Sequence, residues 1–289
     1  MKIGVIGAEN SHTARIAKVI NVEKLIKDFT VDYLWGETEE FAKKAALEGQ
    51  IPNIVEKPIQ MLGKIDALIV DHRHGKYHLK PALPFIKNGI PCFIDKPFCY
   101  RTKEGIEFLE NAKKHGVPVT SFSIIPHQKS FIGFVKKLRN NGDILSGTMY
   151  GPADLKSKYG GVFFYGIHQV DAALKAFGYN VVKVLVTKNG NGATGQLIYS
   201  DEKIITLNFI KEGCQNFIIN AVCGKGPLQQ TIIYDKNQYL TGIKIFTKMF
   251  KTGVEPEKHE EILKPVQILE AMEKSVKSGR IEKVDSKII

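Results

Sequence analysis

The chain has 289 residues, of which 43% are hydrophobic and 25% charged, and its formal charge is +11. This composition is typical of a folded globular protein, and the length favours two domains that share a cleft. No apolar run approaches the roughly 18 residues of a membrane span, and the N-terminal segment lacks the apolar core of a secretory signal, so we expect a cytoplasmic protein. The excess charge is scattered as Lys, which argues against a nucleic-acid or membrane partner and is compatible with an anionic small molecule.

The cysteines give no sign of a metal or disulfide framework. Cys92, Cys99, Cys214 and Cys223 have no CxxC or CxxH spacing. We therefore expect reduced cysteines that lie mostly in the core.

Apolar strands and amphipathic helices alternate through residues 1–122. Apolar spacing predicts a strand over residues 2–7, which ends in a glycine, and a helix over about 13–26. Apolar, β-branched strands flanked by helices predict a Rossmann-type parallel sheet covered on both faces. The further predicted elements are strands at 30–35, 65–71, 91–95 and 117–122, and helices at 37–48, 77–88 and 103–115.

The pattern changes in residues 123–289. Helices are predicted at 131–140, 166–177 and 257–278, with a strand at 146–150. Short turns separate a succession of further strands, which indicates antiparallel meanders. The sequence thus predicts an α/β chain: a Rossmann-type domain, then an α+β domain with a mainly antiparallel sheet for substrate binding and oligomerisation. The strands in question span 181–187, 195–200, 203–210, 216–224 and 228–234.

The first strand-to-helix turn is the expected phosphate site, because free backbone N–H groups and the helix dipole face an anion there. Gly7 stands where a G-x-G-x-x-G fingerprint begins, but its next two glycines would fall on Glu9 and His12. A side chain at Glu9 hinders close approach of the backbone, and its carboxylate lies near the expected phosphates. Asn10 and Ser11 can still cap the helix and donate hydrogen bonds. This segment alone supports dinucleotide binding only weakly.

The end of the second strand leaves two interpretations open. The acidic residue expected there to hold the adenosine ribose is replaced by Trp35-Gly36, with Glu37 next. Trp35 can stack on an adenine, or it can be a partly buried aromatic at the sheet end.

A second group of motifs follows later strands. Asp95-Lys96-Pro97 comes at the carboxyl end of a strand, where ligands of open α/β sheets bind. With the segment YGGVFFYGIHQVDAAL and the terminal helix, it resembles the Gfo/Idh/MocA family, named for glucose–fructose oxidoreductase, inositol dehydrogenase and rhizopine catabolism. The family's Thr-Pro with a later histidine corresponds to Asp71-His72 with His78, its Glu-Lys-Pro to Asp95-Lys96-Pro97, and its Gly-x-His-x-x-Asp to Gly166-Ile167-His168-Gln169-Val170-Asp171.

The resemblance implies an oxidoreductase that uses NAD or NADP and transfers a hydride to or from a sugar, polyol or related small molecule. Lys96 would hydrogen-bond the reacting hydroxyl, and His168 would accept or donate the proton. Family dehydrogenases commonly carry an aspartate four residues before this histidine, and here that residue is Phe164. Tyr165 remains as a helper that orients a hydroxyl.

The remaining candidates allow more than one role. The D-H-x-H-x-x-x-H spacing from Asp71 to His78 could be drawn as a metal site, but contact with cofactor or substrate is favoured and no metal is expected. His127 is either a cleft residue or a surface histidine. The predicted site comprises Lys96, His168 and Tyr165 for catalysis, His127 and Asp171 for the substrate, and Gly7, Glu9, Asn10, Ser11, Trp35, Asp71, His72, His74, Asp95 and Lys96 for the cofactor.

A second function class stays open. A ligand-binding or regulatory relative that has lost its cofactor is favoured by Glu9, Gly36 and Phe164. In either case, an antiparallel sheet with one exposed face offers a surface for a homodimer or homotetramer.

Overall fold

The computed structural model describes residues 1–190, 192–213 and 215–285 and contains two sheets. The first has six strands in the order β3-β2-β1-β4-β5-β6, and all of its pairings are parallel. This order reverses at β1 and β4, which places the ligand crevice of a Rossmann fold beyond their carboxyl ends. The strands are β1 (Lys2–Ile6), β2 (Thr30–Trp35), β3 (Asn53–Ile54), β4 (Ala67–Val70), β5 (Cys92–Ile94) and β6 (Val119–Thr120).

Helices follow these strands as the apolar spacing predicts. The first helix is shorter than predicted, because it passes into a π-helical turn at Lys18–Val22 and stops there. The Thr38 side chain caps the second helix by accepting a hydrogen bond from the Phe41 N–H. The helices of this part are α1 (Ser11–Ala17), α2 (Glu39–Gly49), α3 (Leu79–Ile86) and α4 (Thr102–His115).

The second sheet has seven strands in the order β12-β11-β7-β10-β9-β8-β13. Every pairing is antiparallel except that of β10 with β7, so the predicted mainly antiparallel sheet is confirmed. Its elements are α5 (Lys129–Arg139), β7 (Ile144–Pro152), α6 (Val162–Phe177), β8 (Val181–Asn189), β9 (Gly192–Tyr199), β10 (Ile204–Ile210), β11 (Ile218–Cys223), β12 (Gly226–Thr231), α7 (Leu240–Thr252), α8 (His259–Ser278) and β13 (Glu282–Lys283).

One predicted meander is wrong. The turn at 211–213 does not join neighbouring strands, because β7 lies between β10 and β11 and pairs with both. Strands two apart in a sheet are separated by about 10 Å, so β10 and β11 do not pair with each other. The uninterrupted meander is confined to β8, β9 and β10.

Helix α7 connects the two parts of the molecule and was not predicted from the sequence. It follows the second sheet in the chain but packs on the first, where the Phe246 ring stacks on Phe93 with centroids 4.5 Å apart. Helices α6 and α8 cover one face of the second sheet and extend a shared core toward α4. The cleft between the sheets is therefore bounded by packed elements on both sides.

The described cysteines, Cys92, Cys99 and Cys223, are free and buried, while Cys214 lies outside the described residues. Within the part of the chain that the structure describes, no helix combines the length and apolar character that a bilayer crossing requires.

Candidate active site and cofactor cleft

The backbone after β1 needs a glycine. Gly7 has φ +113°, and a Cβ there would lie 2.5 Å from the carbonyl oxygen of Asp71. Its N–H donates to the carbonyl of Trp35 over 2.9 Å. The end of β1 is thus pressed between β2 and β4, and the chain turns from there directly into α1.

Glu37 occupies part of this turn. One oxygen of its carboxylate accepts hydrogen bonds from the N–H groups of Ala8 and Glu9, at 2.7 and 2.9 Å. The other lies 2.7 Å from His72 Nδ1. Burial alone would raise the Glu37 pKa, but these bonds outweigh it and lower the pKa below its ordinary value. An ionised acceptor therefore stands beside the turn, where Rossmann proteins hold the adenosine ribose.

Other residues predicted for the cofactor lie around the turn in different roles. Trp35 Nε1 donates to the Glu56 carbonyl over 3.1 Å, and the ring meets the His72 ring edge-on at 5.7 Å. Ser11 is the exposed first residue of α1. Asn10 precedes it at the N-cap, yet its amide makes no capping bond.

Asn10 instead reaches a pair of buried carboxylates at the ends of β4 and β5. Its Nδ2 donates to Asp71 over 2.6 Å and to Asp95 over 3.2 Å. Thr13 Oγ1 lies 2.8 Å from the Gly7 carbonyl and 2.7 Å from Asp71 Oδ2. The Thr13 hydroxyl is thus within donating distance of both acceptors and ties the Asp71 carboxyl to the turn after β1.

The electrostatics of the pair differ between the two carboxyls. Burial and the neighbouring Asp95 charge raise the Asp71 pKa well above its ordinary value. Burial acts in the same direction on Asp95, but the charges of Lys96 and His12 outweigh it and lower the Asp95 pKa. Asp71 is therefore the more easily protonated carboxyl of the two, and Asp95 is the ionised partner of Lys96 Nζ at 3.4 Å and lies 3.2 Å from His12 Nδ1.

His12, Asp71 and Asp95 also bring their potential ligand atoms within 4.8 Å of one another. The hydrogen bonds just described already engage all three. This grouping differs from the D-H-x-H-x-x-x-H spacing of the sequence, whose side chains point to separate partners.

Lys96 and His168 are buried, at 7% and 6% exposure. Burial, and after it the Lys96 charge, lower the His168 pKa well below its ordinary value, so the ring is neutral at pH 7. His168 Nδ1 lies 2.7 Å from Ser123 Oγ, and Ser123 N–H donates to Asp171 over 2.9 Å. Two positioning residues thus support the imidazole, and Ser123 was not found from the sequence.

The wall next to His168 is aromatic. Tyr165 is 40% exposed, with its ring 5.5 Å from that of His168. Phe164, at the position where the family pattern places an aspartate, packs between the rings of Tyr159 and Tyr165, each 4.8 Å away. The side chain at this position carries no carboxylate, and the adjacent Tyr165 carries a hydroxyl.

A bridge of three residues crosses the cleft. Tyr159 OH donates to Glu9 Oε1 over 2.6 Å, and Arg73 Nη1 donates to Tyr159 OH over 3.1 Å. The guanidinium lies 5.1 Å from the Tyr159 ring centre. Arg73 Nε is buried and has no acceptor among the described residues. A buried donor left unpaired costs about 1–3 kcal/mol, so this atom calls for a partner.

The remaining predicted histidines lie apart from the reacting pair. His74 packs edge-on against Tyr100 at 4.8 Å and lines a separate cavity of about 330 Å³. His78 is fully buried between the carbonyls of Pro97 and His72, at 2.9 and 2.8 Å. Burial lowers the His78 pKa to about 4, so the ring is neutral and donates to one carbonyl only.

His127 and Asp171, predicted for the substrate, have structural partners. His127 packs against the Phe122 ring at 4.6 Å, and burial lowers its pKa to about 4. Asp171 accepts from Ser123 and pairs with Lys175 at 3.6 Å. Direct contact of these two residues with a substrate stays a prediction.

The cleft fits a dinucleotide on three observations. The turn after β1 admits only glycine at its first position, an ionised acceptor stands at the end of β2, and a buried Arg73 Nε next to Glu9 lacks an acceptor among the described residues. Lys96 and His168 lie together at the other end of the same cleft.

The sequence comparisons agree with this geometry. Residues 1–123 match the family GFO_IDH_MocA, described as an oxidoreductase family with an NAD-binding Rossmann fold. No curated protein matches the chain.

Many solved structures share the fold over the whole chain. A probable dehydrogenase from Thermotoga maritima has a TM-score of 0.85 at 18% identity and covers 100% of both chains. Myo-inositol dehydrogenase from Lactobacillus casei, in complex with NAD(H) and myo-inositol, has a TM-score of 0.85 at 14% identity, covering 100% of this chain and 98% of the other. Myo-inositol 2-dehydrogenase from Lactobacillus plantarum has a TM-score of 0.85 at 16% identity and covers 99% of both. At such identities the likeness shows the fold alone.

Fold and matched region together define a chain whose first part is similar to an oxidoreductase family with an NAD-binding Rossmann fold. The match over residues 1–123 confirms the resemblance stated from the motifs for this part of the chain, and with it the nicotinamide class of cofactor.

Proposed function

We propose that the chain is an NAD-dependent dehydrogenase or reductase that acts on a sugar, polyol or related hydroxylated small molecule. The observation that carries this proposal is the burial of Lys96 and His168 together at the end of the cleft, beside a turn that fits a dinucleotide. Bound nicotinamide would supply the hydride acceptor or donor. The rest of the chemistry belongs to the side chains.

His168 is the proposed proton acceptor. In the tautomer that donates Nδ1–H to Ser123 Oγ, a neutral imidazole leaves Nε2 to take the proton of a substrate hydroxyl. Lys96, held by Asp95, donates a hydrogen bond to the same oxygen and stabilises charge that develops there. Tyr165 orients a second hydroxyl, taking over part of the role of the missing carboxylate at Phe164.

We further propose that NAD is preferred over NADP. The ionised Glu37 carboxylate accepts hydrogen bonds from a ribose hydroxyl but repels the extra phosphate that NADP carries there. The remaining proposed contacts of the cofactor lie around Glu37, at the reacting end and, for His74, at the periphery. They are Gly7, Glu9, Asn10, Ser11, Trp35 and His72 around Glu37, and Asp71, Asp95 and Lys96 at the reacting end.

The two parts of the chain are proposed to divide the work in the cytoplasm. Residues 1–122 bind the cofactor, and residues 123–289 bind substrate and assemble the oligomer. The face of the second sheet opposite α6 and α8 carries Tyr150, Ile204 and Val222 at 37%, 42% and 49% exposure. Apolar side chains on an uncovered sheet face support a homodimer or homotetramer.

The function is tested by following NADH formation with a panel of inositols, other polyols and sugars. The wild-type chain should reduce NAD with at least one of them, and the Lys96→Ala variant should not. Lys103→Ala is the matched control, because this lysine is an exposed residue of α4. Absence of both NADH binding and turnover on every compound would instead support the ligand-binding or regulatory alternative that has lost its cofactor, which the aromatic Phe164 favours.

A further inference from the structure

The phosphate turn is short of donors. A pyrophosphate on a Rossmann turn is normally held by backbone N–H groups that glycines leave accessible. Here the N–H groups of Ala8 and Glu9 are bonded to Glu37, and Glu9 stands at a glycine position of the fingerprint. If a dinucleotide binds, its phosphates lose these two N–H donors and gain from positive donors on other elements.

We propose that Arg73 and Tyr159 form an oxyanion anchor that holds the cofactor's pyrophosphate from outside the turn. Arg73 follows β4, whose end lies beside that of β1 at the point where the strand order reverses. Tyr159 precedes α6 on the opposite side of the cleft. The two residues meet at Glu9 and therefore enclose the phosphate turn from two directions.

The setting of Arg73 suits this task. Its guanidinium lies 5.1 Å from the Tyr159 ring centre and 6.0 Å from that of Phe164, so aromatic rings fix the position of the cation. Its Nη1 donates to Tyr159, while the buried Nε has no acceptor in the described part of the chain. A guanidinium that is held in place and has further N–H donors can bind two oxygens of a phosphate at once.

Glu9 gains a role in the same arrangement. Its carboxylate is bonded by Tyr159 OH and lies in the field of Arg73. The Glu9 carboxylate therefore places a negative charge of the protein where a phosphate of the cofactor is expected. Arg73 and Tyr159 thereby compensate the charge that the lost glycine introduced, and a phosphate would compete with Glu9 for the same donors.

This inference rests on the proposed function, because it assumes that a dinucleotide enters the cleft. It is tested by calorimetric titration of ADP, which carries the pyrophosphate, and of adenosine, which does not. Arg73→Ala should weaken ADP binding at least tenfold and leave adenosine binding unchanged. Lys76→Ala, an exposed lysine three residues along the same loop, should change neither.

Two further variants keep the test independent of folding defects. Tyr159→Phe retains the ring but loses the hydroxyl, and should weaken ADP severalfold; Glu9→Gln removes the competing charge and should strengthen it severalfold. Thermal unfolding monitored by circular dichroism checks that each variant is folded.

The outcomes separate the two proposals. The anchor is overturned if the wild-type chain binds ADP no better than adenosine, or if folded Arg73→Ala binds ADP as the wild type does. It is also overturned if Arg73→Ala raises the KM of the oxidised substrate while ADP binding stays unchanged, since Arg73 would then serve the substrate. NADH binding that persists in these cases leaves the proposed function standing.

Discussion

The two ends of the cleft differ in how they depart from the family pattern. At the reacting end, Lys96 and His168 are buried and each has a hydrogen-bonding or ionic partner. At the phosphate end, Glu9 and His12 replace glycines, and Glu37 takes two backbone donors. Proton transfer needs particular side chains at particular points, whereas a phosphate needs only positive donors, which other elements can supply. The phosphate end is therefore freer to diverge.

Loss of Lys96 gives the largest expected effect at the reacting end. Lys96→Ala should lower kcat by about 10³-fold, because the developing charge on the substrate oxygen loses its cation. NADH affinity should change little, because Trp35 and Glu37, the proposed contacts of the adenosine ribose, lie at the other end of the cleft. Turnover within a few-fold of the wild type would remove Lys96 from the chemistry.

His78 connects the two ends, because its ring bridges the carbonyls of His72 and Pro97. Its pKa of about 4 is lower than the roughly 6.5 of an unfolded chain, so its contribution to stability is complete above pH 6.5 and is lost as the pH falls toward 4. The difference in unfolding free energy between the wild type and His78→Gln should narrow by about 3 kcal/mol from pH 7 to pH 4. Urea unfolding at several pH values measures it, and a difference independent of pH would contradict a neutral, buried His78.

His168 should govern the acid side of the pH profile. Its pKa is lowered, so the wild type keeps a neutral base at pH 7. The increase of kcat with pH should therefore occur at pH values below the ordinary pKa of histidine, and kcat should be constant above them. His168→Asn should lower kcat by about 10²-fold and abolish that rise. An unchanged acid limb in the variant would assign the titration to another group.

Glu37 should give a smaller effect, at the phosphate end. Glu37→Ala removes an ionised acceptor, so NADH affinity should fall about tenfold, or about 1.4 kcal/mol. NADPH affinity should hold or improve because a like charge is gone. Glu40→Ala, on the neighbouring helix α2, is the control. Parallel losses for both cofactors would show that Glu37 acts only by shaping the turn.

The smallest effect is expected far from the cleft. Tyr150→Glu on the open face of the second sheet should shift the oligomer toward monomer in size-exclusion chromatography with light scattering, while NADH affinity stays the same. If the substitution leaves the measured mass unchanged, the subunit interface lies on another surface.

The sequence predicted features that depend on local patterns. Apolar periodicity located most helices and strands, and motif order brought Lys96 and His168 together. What it missed depends on contacts between distant segments. Helix α7 packs on a sheet about 150 residues earlier in the chain, and β7 separates two strands that a short turn appeared to join.

The same holds for the site. Ser123, Arg73 and Tyr159 belong to no motif, and their importance comes from partners on other elements. Glu37 was visible only as the residue after Trp35-Gly36, because its bonds to the phosphate turn depend on how β1 and β2 pair. Asn10 was expected to cap α1, but the buried Asp71 and Asp95 bind its amide more closely.

The most direct measurement uses Trp35, the only tryptophan of the chain, which lies at the end of β2 beside His72. If this cleft binds the dinucleotide, titrated NADH should quench Trp35 emission along a saturating curve, and NADPH should need about tenfold more because Glu37 repels its extra phosphate. Trp35 emission that responds to neither cofactor up to millimolar concentration, in a chain shown to be folded, would contradict the account.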